Sequence, residues 1–344
     1  MPVVLPAEVV PDPDSQGARP RLLLIAPPGS YRTAAYLQTA RDLGVDVLVA
    51  SEGRHSLVGE IAAGLHVDLH RPEALQVLLQ ANQARPFSGV VATDDASVEL
   101  ASRIAAALQL PHNPPHAAKL SRRKDLSRQA LQQAGVPVPA FRIVDLDAPL
   151  AAQLQSIEFP CVIKPLAMSA SRGVIRADNS AAAEEACLRV QALLGEAAGK
   201  DPFADSHVLV EQFVAGPEVA LEGLLQQGRL KVLAIFDKPD PLDGPYFEET
   251  YYITPSRHSS TAQQRLVACV QAACAAHGLL EGPVHAEARL PADGCVIMEV
   301  AARTIGGECA RLLDFGTGHS LEALVISHAI ARPLQFDHQA GGAG

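Results

Sequence analysis

Residues 21–51 set the first limit on what this chain can fold into. RLLLI is an unbroken apolar run, YRTAAYLQTARDLGV has helical spacing, and DVLVAS is a second apolar run. A strand with one wet face alternates apolar and polar residues, whereas a strand covered on both faces reads as a continuous apolar run. Two such strands joined by a helix belong side by side in a parallel sheet with helices packed on it. SGVVATDDASVELASRIAAALQL repeats strand and helix, Thr93 to Ser97 supply helix-capping residue types, and PHNPP punctuates the end. Residues 20–118 are therefore expected to form a small Rossmann-like domain behind a disordered leader, rich in proline and acids, over residues 1–19.

The first turn of that domain, PPGSYRT, lacks the G-x-G-x-x-G spacing that seats a dinucleotide, and no G-x-x-x-x-G-K-[ST] occurs anywhere. Ser30, Tyr31, Arg32 and Asp94 fall at strand ends. They border a substrate cleft on the rule that open sheets bind ligands at the carboxyl ends of their strands, with Tyr31 and Arg32 alternatively read as solvated helix-start residues. A formal charge of -10 opposes a nucleic-acid-binding face, which would be basic. No apolar run approaches the ~20 residues that span a bilayer, and the N-terminus lacks the basic start and apolar core of a secretory signal. A cytoplasmic protein with neither nucleic-acid nor membrane partners is expected, and a homodimer is compatible with this reading. Cys161, Cys187, Cys269, Cys274, Cys295 and Cys309 contain no Cys-x-x-Cys pair, so buried free thiols are expected rather than disulfides or a metal cluster.

From residue 119 the texture changes. AAKLSRRKDLSRQALQQAGVPVP reads as one basic amphipathic helix ending at Gly135. FPCVIKP, LAMSASRG and VIRA read as strand, loop and strand, followed by a helix over about residues 180–194. HVLVEQFVAGPEVALEGLLQQGRLKVLAIFDKP reads as three antiparallel strands with turns at AGPE and QQGR, and VHAEARLPADGCVIMEVAAR as a later hairpin. An α+β body with a small β-lid is therefore expected downstream of the parallel sheet.

The chain has only six lysines among 28 Lys and Arg residues, and one of them, Lys164, ends the β-branched run of VIKP. A lysine facing a loop of small residues suits phosphate binding, because the loop brings backbone N–H groups close while the ammonium supplies a point charge. The other reading is an edge-strand lysine that discourages aggregation. In the hairpin, a three-residue loop Ala292-Asp293-Gly294 with a left-handed glycine would pair Pro291 with Cys295 and so place Glu287 opposite Glu299. Two like charges there are destabilising unless a cation lies between them, and Mg2+, which takes carboxylate and phosphate oxygens, fits, with Mn2+ as a substitute.

These pieces in this order resemble the ATP-grasp superfamily: Lys124, Lys164, the loop Ser169 to Val174, EQFV from Glu211, the acids Glu287 and Glu299, and Arg303. Within it, FDKPDPLDGPYFEETYYITPS and VIMEVAARTIGGECARLLDFG look most like the L-amino acid ligases, the bacilysin-type dipeptide synthetases among them. The resemblance implies an ATP-grasp α+β fold behind the Rossmann-like domain, with an N-terminal subdomain and lid over 119–210. The C-terminal subdomain, with the metal hairpin and a short tail, spans 211–344. It implies an ATP-dependent carboxylate-amine ligase acting on small molecules, here amino acids, through an acylphosphate with release of ADP and phosphate.

Site roles follow from the resemblance together with the residue chemistry. Lys124 and Lys164 would hold the α- and β-phosphates, and Ser169, Ser171, Arg172 and Gly173 would belong to a closing loop from which Arg172 reaches inward. Glu211 would accept from the adenine amino group, with the Phe213 and Val214 backbone reading the ring edge, and Glu218 would take the ribose hydroxyls. Glu222 is read as structural or solvated. Glu287 and Glu299 would hold the metal, Arg303 would meet the acylphosphate or substrate carboxylate, and Glu249 among aromatics would recognise a substrate ammonium. Two departures stand out: Ala301 replaces an asparagine common two residues after the second metal acid, and the sequence stops at HQAGGAG where such ligases continue. Two further readings remain: a purine-synthesis carboxylation or formyl transfer, which differs in the acceptor, and a nucleotide-binding module without turnover.

Overall fold

A computed structural model describes residues 19–52, 63–197, 201–292, 294–332 and 334. The expected leader, apart from Arg19, and the tail after residue 334 lie outside the described residues, as does Asp293.

The first sheet is parallel. Strands β1 (Arg21–Ile25), β2 (Asp46–Ser51), β3 (Ala63–His66) and β4 (Gly89–Ala92) lie in the order β3-β2-β1-β4. Leu22 to Ile25 are fully buried, as the unbroken apolar run requires. Helices α1 (Thr33–Asp42), α2 (Ala74–Ala84) and α3 (Val98–Ala107) connect and flank the strands. Strand β3, AGLH, is short and carries no apolar pattern, which is why the sequence reading has no counterpart for it.

The stretch read as one basic helix is two, α4 (Pro115–Leu120) and α5 (Lys124–Gln133). The break falls at Arg123, which is extended and whose guanidinium is buried against Asp125 and Asp201. Arg123, Lys124 and Arg128 are buried in the protein rather than facing water, while Lys119 is exposed. Gly135 closes the end with φ 72°, as a helix-terminating glycine should.

The second sheet is antiparallel. It contains β5 (Phe141–Asp145), β6 (Cys161–Pro165), β7 (Ile175–Ala177) and β8 (His207–Gln212) in the order β5-β8-β6-β7, with α6 (Leu150–Leu154), α7 (Ser180–Ala197) and α8 (Pro202–Ser206) in its connections. Strand β6 is internal and Lys164 is buried, so the edge-strand reading of that lysine falls.

The third sheet, also antiparallel, orders β9 (Glu218–Gln226), β10 (Arg229–Lys238), β11 (Gly282–Arg289) and β12 (Val296–Ala301) as β10-β9-β11-β12. Strands β8 and β9, read from sequence as neighbours, lie in different sheets: AGPE is a crossover, not a hairpin turn. QQGR is a true hairpin, with Gln227 and Gly228 both left-handed. Central strand β9 is covered on both faces. Ala220 and Leu224 face a core shared with β1, α1 and β10, while Val219, Leu221 and Leu225 face α9 (Ser260–His277). Helices α10 (Ala310–Thr317) and α11 (Leu321–Ala329) complete the shared core, and α11 packs back on α1 and β4.

The six cysteines are free, and five are buried. Burial pushes the Cys161 and Cys187 thiols up to about 11. Among the described residues no helix is long and apolar enough to cross a membrane.

Candidate active site

The three sheets converge on a cavity of about 950 Å³. Of the residues singled out in the sequence, Lys124, Lys164, Ser169, Ser171, Glu211, Phe213, Val214, Glu218, Glu249, Glu287, Glu299 and Arg303 all line it. Arg172 and Gly173 do not. Arg172 is exposed rather than turned into the cavity. Tyr31, Arg32 and Asp94 also line the cavity, so these residues of the first sheet border it rather than being merely solvated.

The alternation of β6 explains the cationic side. Ile163 enters the core under α7, which sends Val162 and Lys164 to the opposite face. Val162 pairs with Glu211 on β8, so Glu211 and Lys164 lie diagonally on one face. One Glu211 oxygen accepts from Arg128 Nε and the other from Lys164 Nζ. Burial opposes ionisation of Glu211, but the Arg128 and Lys164 charges outweigh it and hold the carboxyl down at about 2. A carboxylate committed to two cations is a poor dedicated acceptor for an adenine amino group, which corrects that expectation. Arg128 was missed, although it follows Lys124 by one helical turn on the same face of α5. Lys124 itself donates to the Met168 carbonyl at 2.7 Å and lies 3.5 Å from Glu299.

The loop after β6 is conformationally unusual. Ala170, Ser171 and Gly173 have φ of 57°, 52° and 72°. Two non-glycine residues in the left-handed region cost about 1 kcal/mol each. Gly173 is required by both conformation and space, since a Cβ there would sit 2.8 Å from Pro165 Cγ. The crossover between sheets is also tied down. The Phe213 N–H donates to the Pro160 carbonyl at 2.9 Å, and the Val214 carbonyl accepts from Arg289 Nη1 at 2.9 Å. Among the described residues this leaves the Phe213 carbonyl and the Val214 N–H as the edge a planar ring could read.

The acids gather around Lys238, the last residue of β10. Its ammonium, almost wholly buried, donates to Glu218 at 2.8 Å, Glu249 at 2.9 Å and Glu287 at 2.7 Å. Oxygens of these three carboxylates lie within 4.8 Å of one another, a set that could ligate a metal ion. The other Glu218 oxygen accepts from Arg289 Nε at 3.0 Å, so Glu218 is first a partner of two cations rather than a free ribose acceptor. Burial alone would push Glu287 up; Lys238 and His285 instead hold it well below the usual carboxylate range. His285 lies between Glu222 and Glu287, its ring nitrogens 3.3 and 3.6 Å from their carboxylate oxygens. Fully buried Glu222 accepts the Ile305 N–H on both oxygens, which excludes its solvated reading and fits the structural one.

Glu287 and Glu299 are directly opposed across the hairpin, as expected, but by a different route. Next to the turn, Arg289 pairs with Val296 and Ala288 with Ile297; a one-residue bulge at Met298 then brings Glu299 opposite Glu287. The tip is closed by the Gly294 N–H on the Pro291 carbonyl, and Pro291 and Cys295 are not a ladder pair. Ala301 is fully buried opposite His285 and offers no ligand. The oxygen-only donor set of Glu287 and Glu299 suits a hard divalent cation such as Mg2+.

Arg303 follows β12. Its Nε donates to both Asp95 oxygens at 3.1 and 3.0 Å and its Nη1 to the Thr304 carbonyl at 3.0 Å. The sequence reading missed Asp95, because its partner lies 208 residues away.

Residues 157–311 match the family model of the ATP-grasp domain, and residues 37–112 match that of the ATP-grasp N-terminal domain. An uncharacterized protein of Sinorhizobium fredii is 30% identical over 229 residues, 66% of this chain and 46% of that one. Dapdiamide A synthase of Enterobacter agglomerans is 26% identical over 267 residues, 76% of this chain and 61% of that one. The chain thus spans about half of the length of these two curated relatives. The crystal structure of an L-amino acid ligase from Bacillus licheniformis superposes with a TM-score of 0.76 at 29% identity, covering 92% of this chain and 76% of that one.

Proposed function

The chain belongs to the ATP-grasp superfamily, and from that premise we propose that it is an ATP-dependent ligase joining the carboxylate of one amino acid to the amine of another. The observation that carries this reading is the convergence of Lys124, Lys164, Glu287, Glu299 and Arg303 on one cavity from helix α5, the second sheet and the third sheet. Opposed acids and clustered cations of this kind suit phosphoryl transfer, where positioning and charge stabilisation do most of the catalysis.

In this reading Lys124 and Lys164 hold nucleotide phosphates, and Phe213 and Val214 offer their remaining backbone groups to the adenine edge. Glu218 accepts a ribose hydroxyl on a lone pair not used by Lys238 or Arg289, since each carboxylate oxygen accepts more than one hydrogen bond. Glu287 and Glu299 would hold Mg2+, which supplies positive charge beside the phosphate oxygens when bound. A carboxylate oxygen of the first substrate attacks the γ-phosphorus and ADP leaves. The amine of the second substrate then attacks the acyl carbon, and phosphate leaves. Glu249 recognises a substrate ammonium by exchanging it for part of its pairing with Lys238, and Arg303 faces the carboxylate.

The test is ADP release with ATP, Mg2+ and pairs of amino acids. Release that requires both a carboxylate and an amine is expected. Absence of release with every pair, despite ATP binding, would defeat the amino acid ligase reading. Glu287→Gln and Glu299→Gln are each expected to abolish release while the circular dichroism spectrum and melting curve stay close to those of the unaltered protein. Near-normal turnover in either variant would put the metal elsewhere.

A further inference from the structure

The segment from Arg303 to Gly307 is fastened to the first sheet at three points. Arg303 Nε bonds both Asp95 oxygens, Arg32 Nη2 bonds the Ile305 carbonyl at 3.1 Å, and the Gly307 N–H bonds the Tyr31 hydroxyl at 2.7 Å. Below it, Glu222 takes the Ile305 N–H. Asp95 opens the short 3-10 turn Asp95–Ser97 that follows β4, so the end of a first-sheet strand aims this carboxylate into the cavity. The Arg303 and Asp95 side chains are only 12% and 19% exposed, so the pair is sheltered from the screening that makes most surface ion pairs weak.

A guanidinium has five N–H donors in a fixed plane, and its use depends on which edge is left open. Here Nε is committed to Asp95 and Nη1 to the Thr304 carbonyl. We propose that Asp95 is a positioning residue for Arg303: by holding Nε, it turns the Nη2 edge into the cavity, where the carboxylate of the amino acid substrate is gripped. This rests on the ligase reading above, in which Arg303 meets that carboxylate. The grip is a single charged edge rather than a two-point clamp. Such an edge can stay on the substrate as the planar carboxylate becomes an acylphosphate. The substrate therefore lies where the first sheet meets the metal hairpin, and the first sheet takes part in recognition through a residue that never touches the substrate.

The experiment uses the full chain with Asp95→Asn, Asp95→Glu and Arg303→Lys. The Arg303 Nε–H resonance, assigned by its loss in Arg303→Lys, is expected to be shifted and protected from exchange in the unaltered protein and to lose both properties in Asp95→Asn. In steady-state ADP release, Asp95→Asn should raise KM for the carboxylate substrate about tenfold, the loss of one charge-assisted hydrogen bond, with KM for ATP within about twofold. Asp95→Glu should recover most of that rise. An unchanged Nε–H resonance in Asp95→Asn overturns the proposal. So does a lost resonance with unchanged carboxylate KM, which reduces the pair to a clasp between domains. If Asp95→Asn does not fold, Asp95→Ser, which also lacks the carboxylate, decides by the same two readings. Absence of ADP release from the unaltered protein with every amino acid defeats the ligase reading instead, while the resonance still reports whether the pair forms.

Discussion

At the scale of single residues, Lys164 and Glu211 show how one rare residue was readable while its partners were not. Lys164 stands out in the sequence because lysine is scarce and this one ends an apolar strand. Its task could not be read, because Glu211 and Arg128 come from other segments and meet it only after folding. Lys164→Met removes one of the two cations on Glu211 and leaves the buried Arg128–Glu211 pair intact, so it should cost about 1–3 kcal/mol of stability, as for a lost charge-assisted hydrogen bond, and at least about tenfold in ATP affinity. Lys119→Ala, on the neighbouring helix outside the cavity, should change neither; chemical denaturation and nucleotide titration measure both. Glu211 also sets an acid limit. Its carboxyl is held at about 2 in the folded chain and titrates near ~4.3 when unfolded, so the pair stabilises above that ordinary range and fades as pH falls towards 2. Melting temperatures recorded from pH 7 to pH 2.5 should therefore fall steeply below pH ~4.5. Glu211→Gln should start lower and show a flatter acid slope.

At the scale of elements, the hairpin and the loop after β6 carry the lessons. The opposition of Glu287 and Glu299 was expected, but loop length gave a register one residue off beside the turn, and the bulge at Met298 makes up the difference; that bulge was not legible, because it leaves no mark in apolar alternation over so few residues. The AGPE stretch was misread as a turn for a related reason. Two apolar runs with a glycine and a proline between them look alike whether the chain turns back or crosses to another sheet. The loop after β6 was legible as a loop of small residues, but its three left-handed residues were not. Gly173→Ala adds both a strained φ and a clash with Pro165, and should cost about 1–3 kcal/mol and weaken ATP binding more than amino acid binding. Amide hydrogen exchange of residues 168–174 should slow when ATP and Mg2+ saturate the protein, as a loop closing over phosphates requires. Unchanged exchange would remove the loop from the nucleotide site.

At the scale of the whole molecule, the first sheet and the third share one core. Leu22, Tyr36, Phe236, Ala220 and Leu324 pack in the same cluster, and Phe236 is fully buried there. Phe236→Ala should cost about 3–5 kcal/mol and lower the exchange protection of β1 as well as β10. Calorimetry should show the two sheets unfolding in one transition, whereas a separate early transition for the first sheet would show that their shared packing is weak. The parallel sheet could be read from its apolar runs, but this sharing could not. The helix that completes the core, α11, comes from residues 321–329, and both faces of β9 carry apolar residues, so its sequence does not show which face meets which partner. The charge arrangement has its own consequence for the solution in which the protein works. The chain carries a formal charge of -10, and added salt screens the mutual repulsion of its surface acids over a Debye length that shrinks from ~10 Å at 0.1 M to ~3 Å at 1 M. The trio of Glu218, Glu249 and Glu287 needs no such help, because Lys238 is a counter-ion bonded into the chain, 2.7 to 2.9 Å from each acid and shielded from solvent. Dilution cannot remove that ion and potassium cannot compete it away, so the acids stay gathered in brine and in nearly pure water alike.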